Sequence, residues 1–188
     1  MNALYYKASH LIRVPTPHIL CQTSPMRNLT ATFCLTLAVL LGSAGVSVSQ
    51  DFQKGLSAAE RGDFATALLE WVPLAEQGDM RAQFFLGALY HNGDGVSQNH
   101  ETAVKWYTLS AEQGFDIAQG NLGVMYALGQ GVVQDNVYAH MWWNIAALQG
   151  HEGATEYRDT IAERMTTSQI ERAQNLAREC VRKNYKGC

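Results

Sequence analysis

From Phe52 onward, apolar residues recur at helical spacing, with glycine-rich breaks between the runs. Ala82, Leu86, Leu89 and Tyr90 fall at i, i+4, i+7 and i+8 and predict a helix over about 79–91. Ala118, Leu122, Met125 and Tyr126 repeat that pattern 36 residues later and predict a helix over about 115–128. Each is followed by a loop with two glycines, Gly93/Gly95 and Gly129/Gly131, and then by a second helix, about 100–113 and 135–149. Upstream, helices are expected over 52–60 and 63–77, joined at Arg61-Gly62-Asp63 with Asp63 as N-cap. Pro73 should bend the second of these or remove one backbone bond. Downstream, Thr166 and Gln169 form a capping-box pair ahead of a final helix over about 167–182, whose apolar stripe is Ile170, Ala173, Leu176, Ala177 and Val181.

The fixed offset goes beyond spacing. AEQGDMRAQFFLGALYHNGDGVSQ from Ala75 matches AEQGFDIAQGNLGVMYALGQGVVQ from Ala111 at Gly78/Gly114, Leu86/Leu122, Gly87/Gly123, Tyr90/Tyr126 and further positions. A constant period of this size marks a solenoid, in which each unit buries its apolar face only against its neighbours. Trp71, Tyr107 and Trp143 share one register and read as the aromatic layer between units, while Gly87 and Gly123, costly inside helices, imply a close helix crossing. A third copy keeps Gly150 and Ala154 but carries Arg158, Asp159 and Ala162 where the earlier copies have Leu, Gly and Tyr, as a water-facing end unit would.

The repeated residues, with A-V-K-W-Y-x-L-S-A-E-Q-G following the first block, resemble the Sel1-like repeat, a relative of the tetratricopeptide repeat with a longer inter-helix loop. The expected fold is all-α: an α/α superhelical solenoid of about eight helices. Its organisation reads as residues 1–25 from a start assigned too early, or an extension, and 26–49 as signal peptide. A tetratricopeptide-like pair follows at 50–78, then Sel1-like repeats at 79–114 and 115–150, then a degenerate repeat with a capping helix at 151–188. The resemblance implies a protein-interaction adaptor rather than an enzyme. One disulfide-rich branch of the family is associated with β-lactam binding or hydrolysis, so a cell-wall hydrolase or β-lactam-binding protein is the alternative. The branch's cysteine pair within each repeat is missing here. A homo-oligomeric assembly factor is a third reading.

In tetratricopeptide-like units the exposed face of the first helix of each pair lines the concave surface. By register that face is expected to present Arg81, Phe84, Ala88, His91 and Asn92 in one unit, and Ile117, Gly120, Val124, Ala127 and Leu128 in the next. Apolar residues there could hold a peptide or a helix, or could equally be packing residues. Trp142 and Trp143 lie about 100° apart on a helix, so Trp143 is expected to pack and Trp142 to lie at a border. His91, His100, His140 and His151 have no ligand spacing and read as surface or loop residues, so neither metal nor cofactor is expected.

Composition adjusts this picture at two points. The chain is 47% hydrophobic and 16% charged, ordinary for a globular fold. Residues 1–49 contain Lys7, Arg13 and Arg27 and no acid, so the remainder holds 11 basic against 17 acidic residues, a net of −6. That balance offers no basic footprint for nucleic acid. Arg27 followed by the apolar run Leu29 to Leu41 and small residues reads as an export signal cleaved after Ala44 or Ser49, the run being short of the ~20 apolar residues of a membrane span. The mature protein would be exported, to the periplasm of a Gram-negative bacterium or into the medium, with no stable membrane insertion. Loss of the leader leaves Cys180 and Cys188, which an oxidising compartment would allow to pair; two free thiols are the alternative. N-terminal sequencing of the unprocessed precursor should begin at Met26, and a product beginning at Met1 would contradict this reading.

Overall fold

The computed structural model describes residues 47–188. The expectations for residues 1–25, and for the leader up to residue 46, lie outside the described residues. Eight helices and no strands occur among the described residues. They are α1 (Ser47–Glu60), α2 (Phe64–Glu76), α3 (Met80–Asn92), α4 (His100–Ala111), α5 (Asp116–Leu128), α6 (Asn136–Leu148), α7 (Ala154–Ala162) and α8 (Thr167–Arg182). The first helix starts at Ser47, earlier than Phe52, and Pro73 sits inside α2 without ending it. Helices pair as α1–α2, α3–α4 and α5–α6, and successive pairs stack through α2–α3, α4–α5 and α6–α7. This is an all-α helical-repeat solenoid.

Side-chain caps start most helices by satisfying backbone N–H groups that have no intrahelical partner. Asp63 accepts from the Thr66 amide, Asp79 from Arg81 and Ala82, and Asp135 from Val137 and Tyr138. Asn99, which differs from the Asp135 of the next unit, caps α4 in the same way through the Thr102 amide at 2.9 Å. Thr166 and Gln169 complete the expected capping box of α8. Phe115 cannot cap with its side chain, so α5 begins without such a bond.

Within each pair the crossing is set by glycine against an aromatic ring. A Cβ placed on Gly87 would lie 2.6 Å from the Tyr107 ring, and one on Gly123 would lie 2.4 Å from the Trp143 indole nitrogen. Gly55 stands in the same relation to Trp71, at 2.5 Å, although it precedes Gly87 by 32 residues rather than 36 because the first pair lacks the long loop. The indole N–H groups of Trp71 and Trp143 donate to the carbonyls of Phe52 and Gly120, each three residues before its glycine.

Two further devices join one pair to the next. The buried Gln83 amide donates to the Ala75 carbonyl at 3.0 Å and accepts from Gln113 at 2.7 Å; Gln119 donates to Ala111 at 3.1 Å and accepts from Gln149 at 2.6 Å. Buried amides satisfied on both ends fix the stacking register, since breaking one leaves a desolvated polar group. The long loops also reach back. Gly95 abuts Phe64, the first residue of α2, and Gly131 abuts the His100 carbonyl at the start of α4, where a Cβ would come within 2.3 Å.

The solenoid order breaks at α8, which packs against α6 rather than pairing with α7. One row along the second helices records why. It reads Ala65, Leu69, Pro73, Glu76 on α2 and Glu101, Lys105, Leu109 on α4 with Glu112 at its C-cap, but Val137, Met141, Ile145, Leu148 on α6. Leu69 is 77% exposed, whereas Met141 and Ile145 are buried in one cluster with Ala177 and Cys180 of α8. Trp142 belongs to the same cluster and is only 2% exposed, so the border position expected for it is corrected: α8 covers its free side.

The glycine crossing makes a signed prediction. Gly to Ala inside an exposed helix stabilises it by ~1 kcal/mol. At Gly123 and Gly87 the added methyl overpacks a locked ring, so Gly123→Ala and Gly87→Ala should each destabilise by about 1–3 kcal/mol in urea titrations.

Candidate functional site

The first helices of the pairs, α3 and α5, carry the residues expected on the binding face, and the structure divides these into four groups. Asn92 is exposed, with its amide donating to Asp94 Oδ2 at 3.1 Å, and Leu128 is 62% exposed. Arg81 and Ile117 are half-buried: the Arg81 guanidinium pairs with Asp79 at 2.9 Å and lies 4.3 Å from the Phe52 ring centre, while the Ile117 carbonyl accepts from Asn121. Phe84, Val124 and Ala127 are half-buried in apolar packing, Phe84 among Phe85, Tyr107 and Phe115, and Val124 and Ala127 beside the Trp143 cluster. Ala88 and Gly120 have almost no surface, the latter because the His151 ring lies over it. These two therefore cannot touch a partner, and their place on the expected face is corrected.

Helical spacing of four, three and four residues from Arg81 gives Arg81, Phe85, Ala88 and Asn92, and from Ile117 gives Ile117, Asn121, Val124 and Leu128. Phe85 and Asn121 thus belong to the row, and the sequence reading passed over them in favour of Phe84 and Gly120. Phe85 is half-buried, stacked on Trp71 at 4.7 Å, and the equivalent position on α7 is Tyr157, 38% exposed and 5.5 Å from Trp143. The row mixes amide, aromatic and aliphatic groups without a dense charge, a surface suited to chain segments rather than to phosphate or metal.

The histidines separate into different environments. His91 stacks on His100 at 5.2 Å between ring centres, at the two ends of the α3–α4 loop. His140 is 3% exposed, so its assignment to surface or loop is corrected: it lies on α6 where the preceding unit has Val104, facing the polar substitutions of α7. Burial pushes the His140 imidazole below its ordinary value, and the Arg158 charge adds to that. Burial likewise lowers His91, with His100 contributing. Nδ1 of both rings, and of His151, is buried without a hydrogen-bond partner. Among the described residues, no three His, Cys, Asp or Glu side chains gather as a metal site would need, and no helix is long and apolar enough to cross a membrane. Cys180 and Cys188 form a disulfide.

These imidazoles give the fold a pH dependence of definite sign. With folded values below the unfolded one, the unfolded chain binds protons first as pH falls, so stability is whole above about 6.5 and declines below it. The melting temperature should therefore be lower at pH 5 than at pH 7.5, and His140→Val should flatten that dependence. An unchanged slope in the variant would remove His140 from the account.

The Sel1 repeat family model matches residues 81–115 and 116–151. Among solved structures, a protective antigen present in uropathogenic Escherichia coli strains and displaying an SLR fold superposes with a TM-score of 0.69 at 25% identity, over 80% of this chain and 33% of its own. A Sel1 repeat protein from Oxalobacter formigenes superposes with a TM-score of 0.55 at 35% identity, over 60% of this chain and 88% of its own. The chain thus spans about a third of the antigen's length. A search of curated proteins found no match.

Proposed function

This chain belongs to the Sel1-repeat family, and we propose that it is an exported scaffold that holds a partner protein or peptide on the exposed row of α3 and α5. Sel1 repeat proteins are generally protein-interaction scaffolds, and their solved relatives are typically non-catalytic. The observation that carries the finer reading is the row itself. Two stacked repeats aim Asn92 and Leu128 outward at equivalent ends of α3 and α5, with Phe85, Asn121 and Ile117 half-exposed behind them. A rigid array of that kind binds by presenting a preformed surface, so little ordering entropy is lost on its side of the complex. The mechanism is capture without covalent chemistry. Export is supported by the apolar segment Leu29 to Leu41 behind Arg27, and the Cys180–Cys188 bond is in keeping with an oxidising compartment.

Photo-crosslinking amino acids placed singly at Asn92, Leu128 and Leu69 test this in intact cells of the source organism. Leu69 is exposed but lies on the second-helix row. The same partner should be trapped from positions 92 and 128 and not from 69. Trapping from 69 alone would move the interface to the opposite helices, and no trapping from 92 or 128 would remove the proposed face.

A further inference from the structure

The chain beyond α8 turns back onto the junction between the two full repeats. Tyr185 lies against Gly114, close enough that a Cβ there would come within 3.1 Å of the ring, and the Gly187 N–H donates to Glu112 Oε1 at 2.9 Å across 75 residues. Tyr185 and Cys188 also pack against the apolar cluster that α8 shares with α4, α5 and α6. The equivalent turns are bare: a Cβ on Gly78 or Gly150 would meet nothing within 4 Å. Only the middle turn of the three is covered, and the tail covers it.

The tail holds an unfavourable shape to do so. Asn184 and Tyr185 have φ of 50° and 65°, and Gly187 has φ of 66°. Asn tolerates the left-handed region; Tyr does so rarely, because its Cβ crowds the following carbonyl. The backbone bond from Tyr185 N–H to the Cys180 carbonyl and the Cys180–Cys188 disulfide close the segment into a small ring that enforces this path. The buried Cys180 fixes one end of the ring to the core.

We propose that the Cys180–Cys188 disulfide is a redox-sensitive latch that keeps residues 183–188 over the α4–α5 turn, and that its reduction frees the tail and uncovers Glu112 to Phe115. The reaction needs a dithiol reductant. Its thiolate attacks one sulfur of the bond through a mixed disulfide, and its second thiolate resolves that intermediate. The reductant leaves as its own disulfide, and Cys180 and Cys188 each take up a proton as thiols. Opening the ring removes the restraint on Tyr185, which relaxes out of the left-handed region and off Gly114. Helix α8 stays seated, because its contacts with α6 through Ala177 and its neighbours do not pass through the bond. The uncovered turn then matches those at Gly78 and Gly150, giving three open junctions in register instead of two.

The full chain, oxidised and then treated with dithiothreitol, tests the latch by three readings. Thiol alkylation reports whether the bond opens in the folded protein, hydrogen exchange follows the Gly187 amide, and limited trypsin follows cleavage after Lys183 and Lys186. Reduction should speed exchange and tail cleavage by about tenfold or more, with helicity by circular dichroism and protection of α6 unchanged. Cys188→Ser should show the same behaviour without reductant, and Tyr185→Ser should loosen the tail with the disulfide intact. A bond that resists the dithiol in the folded state overturns the proposal, as does a reduced tail that keeps its protection. Loss of α8 helicity on reduction would also overturn it, by making the bond a staple of the fold.

Discussion

Everything in this solenoid depends on how closely the two helices of a pair can approach. Trp71, Tyr107 and Trp143 each lie against a helix backbone where no Cβ stands in the way, at Gly55, Gly87 and Gly123. A helix pays for an internal glycine with conformational freedom. The return is burial of a large ring against backbone and, for the two tryptophans, a hydrogen bond that a more distant indole could not make. Two of the rings then form the floor on which the next pair stacks: Phe85 on Trp71 and Tyr157 beside Trp143. Side chains of the exposed row are therefore held by the same contacts that hold the fold.

Stacking register has a second, polar determinant. Gln83 and Gln119 bridge consecutive units through backbone carbonyls at the ends of α2 and α4. An apolar layer alone tolerates sliding, because dispersion and burial are not directional. A buried amide with two specific partners does not slide without leaving one unpaired. Ser110 adds a bond to the Met80 carbonyl in one unit, and Ala146 omits it in the next.

The C-terminal part shows how a short array ends. An uncovered α7 would invite a second helix of its own pair, and polar residues, Arg158 with Asp159, replace the Leu-Gly pair that would have received it. Helix α8 departs from the array and covers α6 instead. Buried His140 sits where these two solutions meet, an aliphatic position in the other units that has become titratable.

Helix number, helix limits to within a few residues, caps, the aromatic layer and the family were legible in the sequence, because each follows from local spacing or from residues compared at a fixed offset. Gly55 was hidden only by the shorter first loop. The seat of α8 was not read, although the switch from Glu101, Lys105, Leu109 to Val137, Met141, Ile145 announces that something covers α6. Its amphipathic stripe says that α8 must bury one face, but burial energy is not directional and the stripe does not name the helix that receives it. Likewise, register alone placed Ala88 and Gly120 on an open face, while the packing of neighbouring side chains closed it over them. Periodic pattern fixes which residues point together; which of those faces remains open is decided by what the rest of the chain lays on top.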